Sequence, residues 1–441
     1  MNDSQNAPDR DEYARCLEYL FSLGRFGIKL GTETISAMLA GLGDPQDRFP
    51  SIHLAGTNGK GSVAAMLAAV LSRSGYKVGV YTSPHLVHIN ERFCVDGRPV
   101  SDGQVLEAFR AVHNAPRPER EATYFEYTTA MAFHIFARTK VDWAVVETGM
   151  GGRLDATNVI SPRLSVITNI SLEHQQYLGR TLAAVATEKA GIIKPGVPVV
   201  TGARQEAALS SIRKAAVERQ APLYVYGKNF SVRRKGDGTF AFSGLGERLS
   251  RLTTRLCGPH QADNAALVLA GVRLLQEQGV SIPDEALVRG VAEARWPGRL
   301  DVVGENPRIV LDGAHNLAAM KVLIRAFGQA FPGERPTVIA GFLDDKPWPQ
   351  MLSMLSAMAG RLILTQPAIN RAVPAARLFA ALPADAPPAS TADSVARALD
   401  LALDQTPASG AILAAGSLYV VGEMMQALEK AGRMTGEFRI G

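Results

Sequence analysis

Apolar and polar positions along the chain repeat one theme, in which short apolar runs alternate with stretches whose apolar residues recur every three or four positions. The first clear run, Ser51–Ala55 (SIHLA), predicts a strand. Behind it Val63, Met66, Leu67, Val70 and Leu71 keep helical spacing, predicting a helix from about Gly61 to Arg73 with Gly75 placed to cap it. Lys77–Tyr81 (KVGVY), a helix near Glu126–Ala137, Asp142–Glu147 (DWAVVE), Leu164–Thr168 (LSVIT) and Val197–Val200 continue the series. Runs apolar on both faces and separated by helices predict a parallel sheet covered on both sides. Trp296-Pro297-Gly298 is a turn signal, and a second β/α series follows it: Arg308–Leu311, Thr337–Ala340, Arg361–Thr365 and Ala411–Ala415. The irregular stretch 224–255, with Lys235-Gly236-Asp237-Gly238 inside it, predicts a hairpin, and the Pro/Ala-rich 382–389 a loop. The expectation is two α/β domains, residues 1–295 and 296–441.

Composition narrows the class. The 441 residues are 46% hydrophobic and 20% charged, which excludes disorder, collagen and coiled coil as the main architecture. The longest clean apolar stretch, Val63 to Leu71, is far short of the roughly 18 residues of a membrane span. The opening residues are polar and acidic (Asp3, Asp9, Asp11, Glu12), so no secretory signal and no membrane contact are expected, and the protein is expected in the cytoplasm. Lys and Arg number 47 against 42 Asp and Glu, and the surplus is spread thinly, with Arg233-Arg234-Lys235 its one small cluster. A nucleic-acid partner is not expected from that distribution. Cys16, Cys94 and Cys257 are far apart, in no metal-ligand spacing, and read as reduced thiols.

The sharpest chemical signal is Ala55-Gly56-Thr57-Asn58-Gly59-Lys60-Gly61-Ser62, between a predicted strand and a predicted helix. Glycines let such a loop curl its N–H groups toward phosphate oxygens, and the helix N-terminus adds partial positive charge. Lys60 can reach the β/γ-phosphates and Ser62 can offer a hydroxyl to Mg²⁺. The pattern departs from the standard phosphate loop: Leu54 stands where its first Gly belongs, and Gly61 separates Lys60 from Ser62. No G-x-G-x-x-G opens a helix after a strand, and no N-K-x-D guanine motif is present, so neither a dehydrogenase nor a GTPase switch is supported.

Eight segments in order carry a resemblance: HLAGTNGKGS (53–62), YTSPHL (81–86), TYFEY (123–127), ETGMGGRLDATN (147–158), SLEH (171–174), EKAGIIKPG (188–196), PGRLDVV (297–303) and LDGAHN (311–316). With them the chain resembles the folylpolyglutamate synthase/dihydrofolate synthase family of Mur-type ligases, over nearly its whole length. The resemblance implies an N-terminal P-loop parallel-sheet ATPase domain and a Rossmann-like C-terminal α/β domain that completes the ATP site and binds glutamate. It implies an ATP-dependent ligase adding L-glutamate to dihydropteroate and/or reduced folate through an acyl phosphate. A Mur-type ligase acting on a cell-wall precursor and a non-ligase P-loop ATPase are the alternatives; TYFEY and GMGGRLDATN favour the folate branch.

Site residues follow from the same likeness. Lys60, Glu147, His174 and Lys189 form the implied catalytic set. Ser83, Glu147 and His174 are implied ligands of one or two Mg²⁺, and Lys189 matches a lysine the family carries as a carbamate. The family commonly has Asp before this histidine and Thr after it, where this chain has Glu173 and Gln175. ATP contacts are implied at Thr57, Asn58, Gly59, Lys60, Gly61, Ser62, Asn264, Arg299, Asp312 and His315, with Asn316 beside them. The pterin-bearing substrate is implied at Leu30, Gly31 and Thr32, at Thr123, Tyr124, Phe125 and Glu126, and at Leu154, Asp155 and Ala156. Phe125 offers a flat aromatic face and Asp155 an acceptor for ring N–H groups. Partners are small molecules only, and a monomer is expected.

Overall fold

The computed structural model describes residues 10–116, 119–434 and 440; the polar opening stretch through Asp9 lies outside them. Eight strands form the first sheet: β1 (Ser51–Ala55), β2 (Val78–Tyr81), β3 (Phe93–Val95), β4 (Arg98–Pro99), β5 (Trp143–Glu147), β6 (Leu164–Ile167), β7 (Val199–Thr201) and β8 (Leu223–Val225). Their order is β4-β3-β2-β5-β1-β6-β7-β8, parallel from β2 to β8, with β3 and β4 antiparallel at one edge. β1 is central, so the loop that leaves it opens at the middle of the sheet's C-terminal edge, where open α/β sheets receive ligands.

A small antiparallel sheet follows, of β9 (Phe230–Arg234), β10 (Phe240–Gly244) and β11 (Glu247–Leu252). Phe230, Phe240, Phe242 and Leu252 bury themselves on the side of helix His260–Glu277, while Ser231, Arg233, Ser243 and Arg248 are exposed. The third sheet has β12 (Asp301–Glu305), β13 (Arg308–Leu311), β14 (Thr337–Ala340), β15 (Arg361–Leu364), β16 (Ala389–Thr391) and β17 (Ala411–Ala415). Its order is β12-β13-β17-β14-β15-β16, parallel except for β12.

Packing explains why the long apolar runs became strands. In β1, Ile52 and Leu54 join the core around helix Lys60–Arg73, whose residues from Ser62 through Leu71 are all buried. His53 and Ala55 point to the opposite face. Each fully buried Val or Leu is worth about 1.5–3 kcal/mol, which makes this helix the main anchor of the loop that precedes it. Gly75 follows the helix with φ +89, as its capping place requires. Helix Asp284–Glu293 lies so close on it that a Cβ at Gly290 would stand 2.6 Å from the Val70 backbone.

Several expectations need adjustment. The stretch 224–255 is a three-stranded meander with an edge strand before it, because its turns fall at 235–239 and at Leu245-Gly246, making two reversals rather than one. The region 382–389 is a loop only to Pro388, since Ala389 begins β16 and pairs with Leu362. The helix expected near 126–137 runs Tyr124–Thr139, extended at its start by a Thr123/Glu126 capping box. Strands β3, β4 and β12 were not anticipated: β3 (Phe93-Cys94-Val95) is apolar but only three residues long, and β4 and β12 are edge pieces that carry charged residues.

Candidate active site

The loop after β1 is shaped by two glycines. Gly56 has φ +148, and a Cβ there would stand 1.9 Å from Thr168 Oγ1; Gly59 has φ +86 and caps the helix that begins at Lys60. The segment after β6 ties the loop down through backbone and side chains. Thr57 N–H donates to Asn169 O (2.9 Å), Asn58 N–H donates to Asn169 Oδ1 (3.0 Å), and Thr168 Oγ1 donates to Asn58 O (2.7 Å). The helix start leaves its first N–H groups without intrahelical acceptors, the arrangement that receives phosphate.

Two lysines converge on one carbonyl. Lys60 Nζ donates to Gly56 O at 2.9 Å, and so does Lys189 Nζ at 2.9 Å. Each ammonium has its own carboxylate: Glu147 at 3.6 Å from Lys60, and Glu173 at 2.6 Å from Lys189. Burial raises the Glu147 pKa, with Lys60 and the Ser83 N–H opposing it. Burial also pushes Glu173 upward, but Lys189 and Lys60 together overcome it and hold this carboxyl at about 2. Lys189 is lowered, because burial outweighs the attraction of Glu173.

A cavity of about 230 Å³ opens over this group, lined by the loop from Thr57 to Ser62 together with Ser83, Glu147, His174, Arg299 and His315. A second cavity of about 280 Å³ shares Asn58, Gly59, Ser62 and Arg299 with the first and adds Asn264 and Asp312. Both lie between the first and third sheets. Arg299 lines the two cavities, and no carboxylate lies within ion-pair distance of it among the described residues. Lys189 lines neither; it is buried behind Gly56. His174 sits in the left-handed region (φ 44) before the short helix Gln175–Leu178, an uncommon posture for a non-glycine residue.

Serine hydroxyl and glutamate carboxylate are hard oxygen donors that suit Mg²⁺. Ser83, Glu147 and His174 share a cavity wall, while no three His, Cys, Asp or Glu side chains among the described residues converge into a closed cage. Such a partial set fits Mg²⁺, which keeps water and phosphate oxygens in its shell.

The remaining residues implied for ATP divide by geometry. Asp312 is buried with its two oxygens on Leu300 N–H and Ala314 N–H, each at 2.8 Å, so it braces the turn and retains one lone pair per oxygen for a ligand. His315 Nδ1 lies 2.8 Å from Gly313 O, and a carbonyl can only accept; Nδ1 therefore carries the proton. Asn316 caps helix Leu317–Ala330 through Ala319 N–H and donates from Nδ2 to Asn58 Oδ1 at 3.0 Å, joining the phosphate loop to the other half of the cleft. Asn316→Ser keeps the cap but loses that bond. The expected result is an ATP KM raised about two- to tenfold with kcat little changed, read by steady-state kinetics.

The implied pterin residues form a separate group, outside both cavities. Gly31 N–H donates to Leu154 O (3.2 Å), which ties two of the three segments together. Phe125 stacks on Tyr81 (centroids 5.9 Å) and packs against Gly149, where a Cβ would stand 2.5 Å from its ring; Gly149 also lines the smaller cavity. Asp155 is buried and accepts from Thr157 and Met150. Glu126 is spent internally: its oxygens take Thr123 N–H, Thr123 Oγ1 and the Arg120 guanidinium, so it supports Thr123 rather than presenting a free carboxylate.

Sequence reasoning missed Glu173 as the partner of Lys189, and missed Lys346, Arg371 and Ser417 on the second wall of the smaller cavity. The usable signal was position: Lys346 follows β14 and Ser417 follows β17, both at C-terminal strand ends. Lys346 and Arg371 flank Asp345 at 3.1 and 3.3 Å.

Buried neutral histidines set an acid limit. Burial lowers His53 to about 3, and His260 and His315 to about 4, with Lys194 assisting for the first and Arg299 for the other two. The unfolded chain binds these protons near pH 6.5 and the folded one only near 3–4, so stability falls as pH drops through that window. The slope is about 1.4 kcal/mol per pH unit for each site. Denaturation midpoints at pH 7, 6 and 5 are expected to decline in that order.

Comparison with known proteins identifies the family and the fold. A family model described as the Mur ligase middle domain matches residues 54–272, and one described as the Mur ligase, glutamate ligase domain matches 298–418. The dihydrofolate synthase/folylpolyglutamate synthase of Bacillus subtilis is 40% identical over 350 residues, 76% of this chain and 80% of that one. The structure of Escherichia coli FolC in complex with DHPP and ADP superposes with a TM-score of 0.88 at 33% identity, covering 95% of this chain and 98% of that one. A bifunctional folylpolyglutamate synthase/dihydrofolate synthase with Mn, AMPPNP and L-glutamate bound gives 0.85 at 30% identity, covering 95% and 98%.

Proposed function

Given that the chain belongs to the folylpolyglutamate synthase/dihydrofolate synthase family of Mur-type ligases, we propose that its inter-sheet cleft joins L-glutamate to dihydropteroate, to reduced folate, or to both, through an acyl phosphate. The protein is an ATP-dependent ligase acting on folates, and it uses ATP and a divalent metal ion. One observation carries the residue-level reading. Lys60 and Lys189 meet at the Gly56 carbonyl, each with its own carboxylate, beneath a cavity walled by both halves of the chain.

In this reading the loop N–H groups and Lys60 hold the β- and γ-phosphates. Asn264, Arg299 and Asp312 line the larger cavity for the nucleoside. Mg²⁺ held by Ser83, Glu147 and His174 would neutralise phosphate charge and fix its orientation. A carboxylate oxygen of the folate forms a bond to the γ-phosphorus as the bond to ADP breaks. The glutamate amine then bonds to the acyl carbon, phosphate leaves, and the amine gives up a proton. Arg299, with no carboxylate within ion-pair distance among the described residues, neutralises the transferring group; water is excluded where the two halves close. Lys346 and Arg371, with Ser417, supply cations and a hydroxyl for the two carboxylates of glutamate.

Residues 1–295 and 296–441 are its two working domains in this proposal, on a monomer in the cytoplasm, where its free cysteines stay reduced. A carbamate on Lys189 belongs to the same proposal: burial favours the neutral amine that adds CO₂, and the ion pair with Glu173 must open first. A carbamate carbon signal on addition of ¹³C-bicarbonate, lost in Lys189→Ala, tests it.

The function itself is tested by ADP release from purified protein with Mg²⁺, ATP and L-glutamate, comparing dihydropteroate with tetrahydrofolate. Mass spectrometry of each product should find one added glutamyl unit. ADP release with neither acid, while ATP still binds, would move the acceptor to a muramyl substrate.

A further inference from the structure

The middle of β1 holds a histidine that neither the phosphate chemistry nor the core explains. His53 is fully buried, between Val146 of β5 and Ser165 of β6. Its Nε2 lies 2.8 Å from Thr157 Oγ1, and Thr157 Oγ1 lies 2.5 Å from Asp155 Oδ1. Thr157 N–H adds a second bond to the same carboxylate oxygen at 3.0 Å, and Met150 N–H reaches the other at 2.8 Å. His53, Thr157 and Asp155 are all buried.

Proton bookkeeping orders this chain. An ionised carboxylate only accepts, so the single hydroxyl proton of Thr157 goes to Asp155. The Thr157 oxygen then accepts from His53, which requires the proton on Nε2. His53 Nδ1 is left bare and has no partner among the described residues. A buried ring nitrogen without a partner costs stability, and an aliphatic residue would fill mid-strand without that cost. The other end of the chain is where the polarity is used. Oδ1 of Asp155 is saturated by Thr157; at Oδ2 the Met150 N–H bonds at 2.8 Å, the Gly149 N–H only faces the carboxylate, and one lone pair remains for an N–H donor.

We infer that His53 is a positioning residue for the pterin-bearing substrate: through the Thr157 hydroxyl it fixes the rotamer of Asp155, so that one oxygen is spent inside the protein and the other is presented to the ring N–H groups. The inference rests on the reading of Asp155 as a substrate contact. It assigns a task in acceptor recognition to a residue that lies three positions before the phosphate loop and touches no phosphate group.

Kinetics of His53→Leu, His53→Gln, Thr157→Val and Asp155→Asn separate the possibilities. Loss of the relay is expected to raise the KM for dihydropteroate roughly tenfold in His53→Leu and Thr157→Val, with the KM for ATP within twofold of the parent. His53→Gln, whose side-chain amide can donate to Thr157, should recover most of the loss. A dihydropteroate KM unchanged in His53→Leu but raised in Asp155→Asn overturns the relay; one unchanged in Asp155→Asn overturns the substrate reading beneath it. If His53→Leu does not fold, nitrogen-15 spectra of the parent decide: a neutral ring protonated on Nε2, shifting when dihydropteroate is added, is expected. A ring protonated on Nδ1, or one unmoved by dihydropteroate, overturns the proposal.

Discussion

Lys60→Ala is expected to lower ADP formation by about 10²–10³-fold, the range seen when one preorganised charge-stabilising donor is removed from an active site. The residue stands at the first position of the phosphate-loop helix, partly open to the cavity, and its removal leaves the helix's buried face from Ser62 to Leu71 untouched. Circular dichroism should therefore match the parent, while the melting temperature falls because the buried Glu147 is left without its cation. Two effects add. The phosphates lose their nearest mobile cation, and Glu147 loses the cation that opposes the upward push of burial on its pKa. Lys60→Arg should not rescue, because a planar guanidinium cannot place one point charge between Gly56 O and Glu147 as the ammonium does. A Lys60→Ala protein retaining half of the parent rate would exclude this lysine from phosphate transfer.

Glu147→Gln is expected to cut the rate about 100-fold at ordinary Mg²⁺, and to shift the half-saturating Mg²⁺ concentration upward. The amide keeps the size of the side chain and an oxygen for the Ser83 N–H, so packing at the end of β5 is preserved. What disappears is the charge. In the proposed ligand set the cation then keeps only Ser83 and His174 from the protein, with no anionic ligand among them. Activity against Mg²⁺ concentration, measured beside the parent, reads the shift directly. An unchanged Mg²⁺ curve would remove Glu147 from the ligand set.

The larger part of this architecture was legible because the physics that forms it is local. Strands buried on both faces are mostly apolar, and SIHLA, DWAVVE and LSVIT are so apart from buried polar residues such as His53 and Ser165; the phosphate loop needs glycine where φ is positive, and Gly56 and Gly59 stand there. Edge strands escaped notice because half-exposed pieces such as Arg98–Pro99 carry no pattern. Within the site, the limit is that one residue type serves two ends. Glu126 is a carboxylate in the right segment, yet Thr123 and Arg120 claim its oxygens, while Asp312 gives one acceptor position per oxygen to backbone N–H groups and keeps the other. Glu173 looked like a departure from a motif, but only three dimensions reveal it as the counterion of Lys189. Lys346 and Arg371 sit in loops where cations are ordinary, and nothing short of the fold brings them to the cavity.

The bond from Asn316 to Asn58 has a thermodynamic consequence. The phosphate loop belongs to the first sheet and Asn316 to the third, so each orientation of the two halves carries its own loop energy. A ligand that favours one orientation from the far wall must change nucleotide affinity by some factor, and the nucleotide must change that ligand's affinity by the same factor. Glutamate and ATP are thus expected to report on each other at equilibrium without touching, and the hinge between them is one side-chain amide pair long.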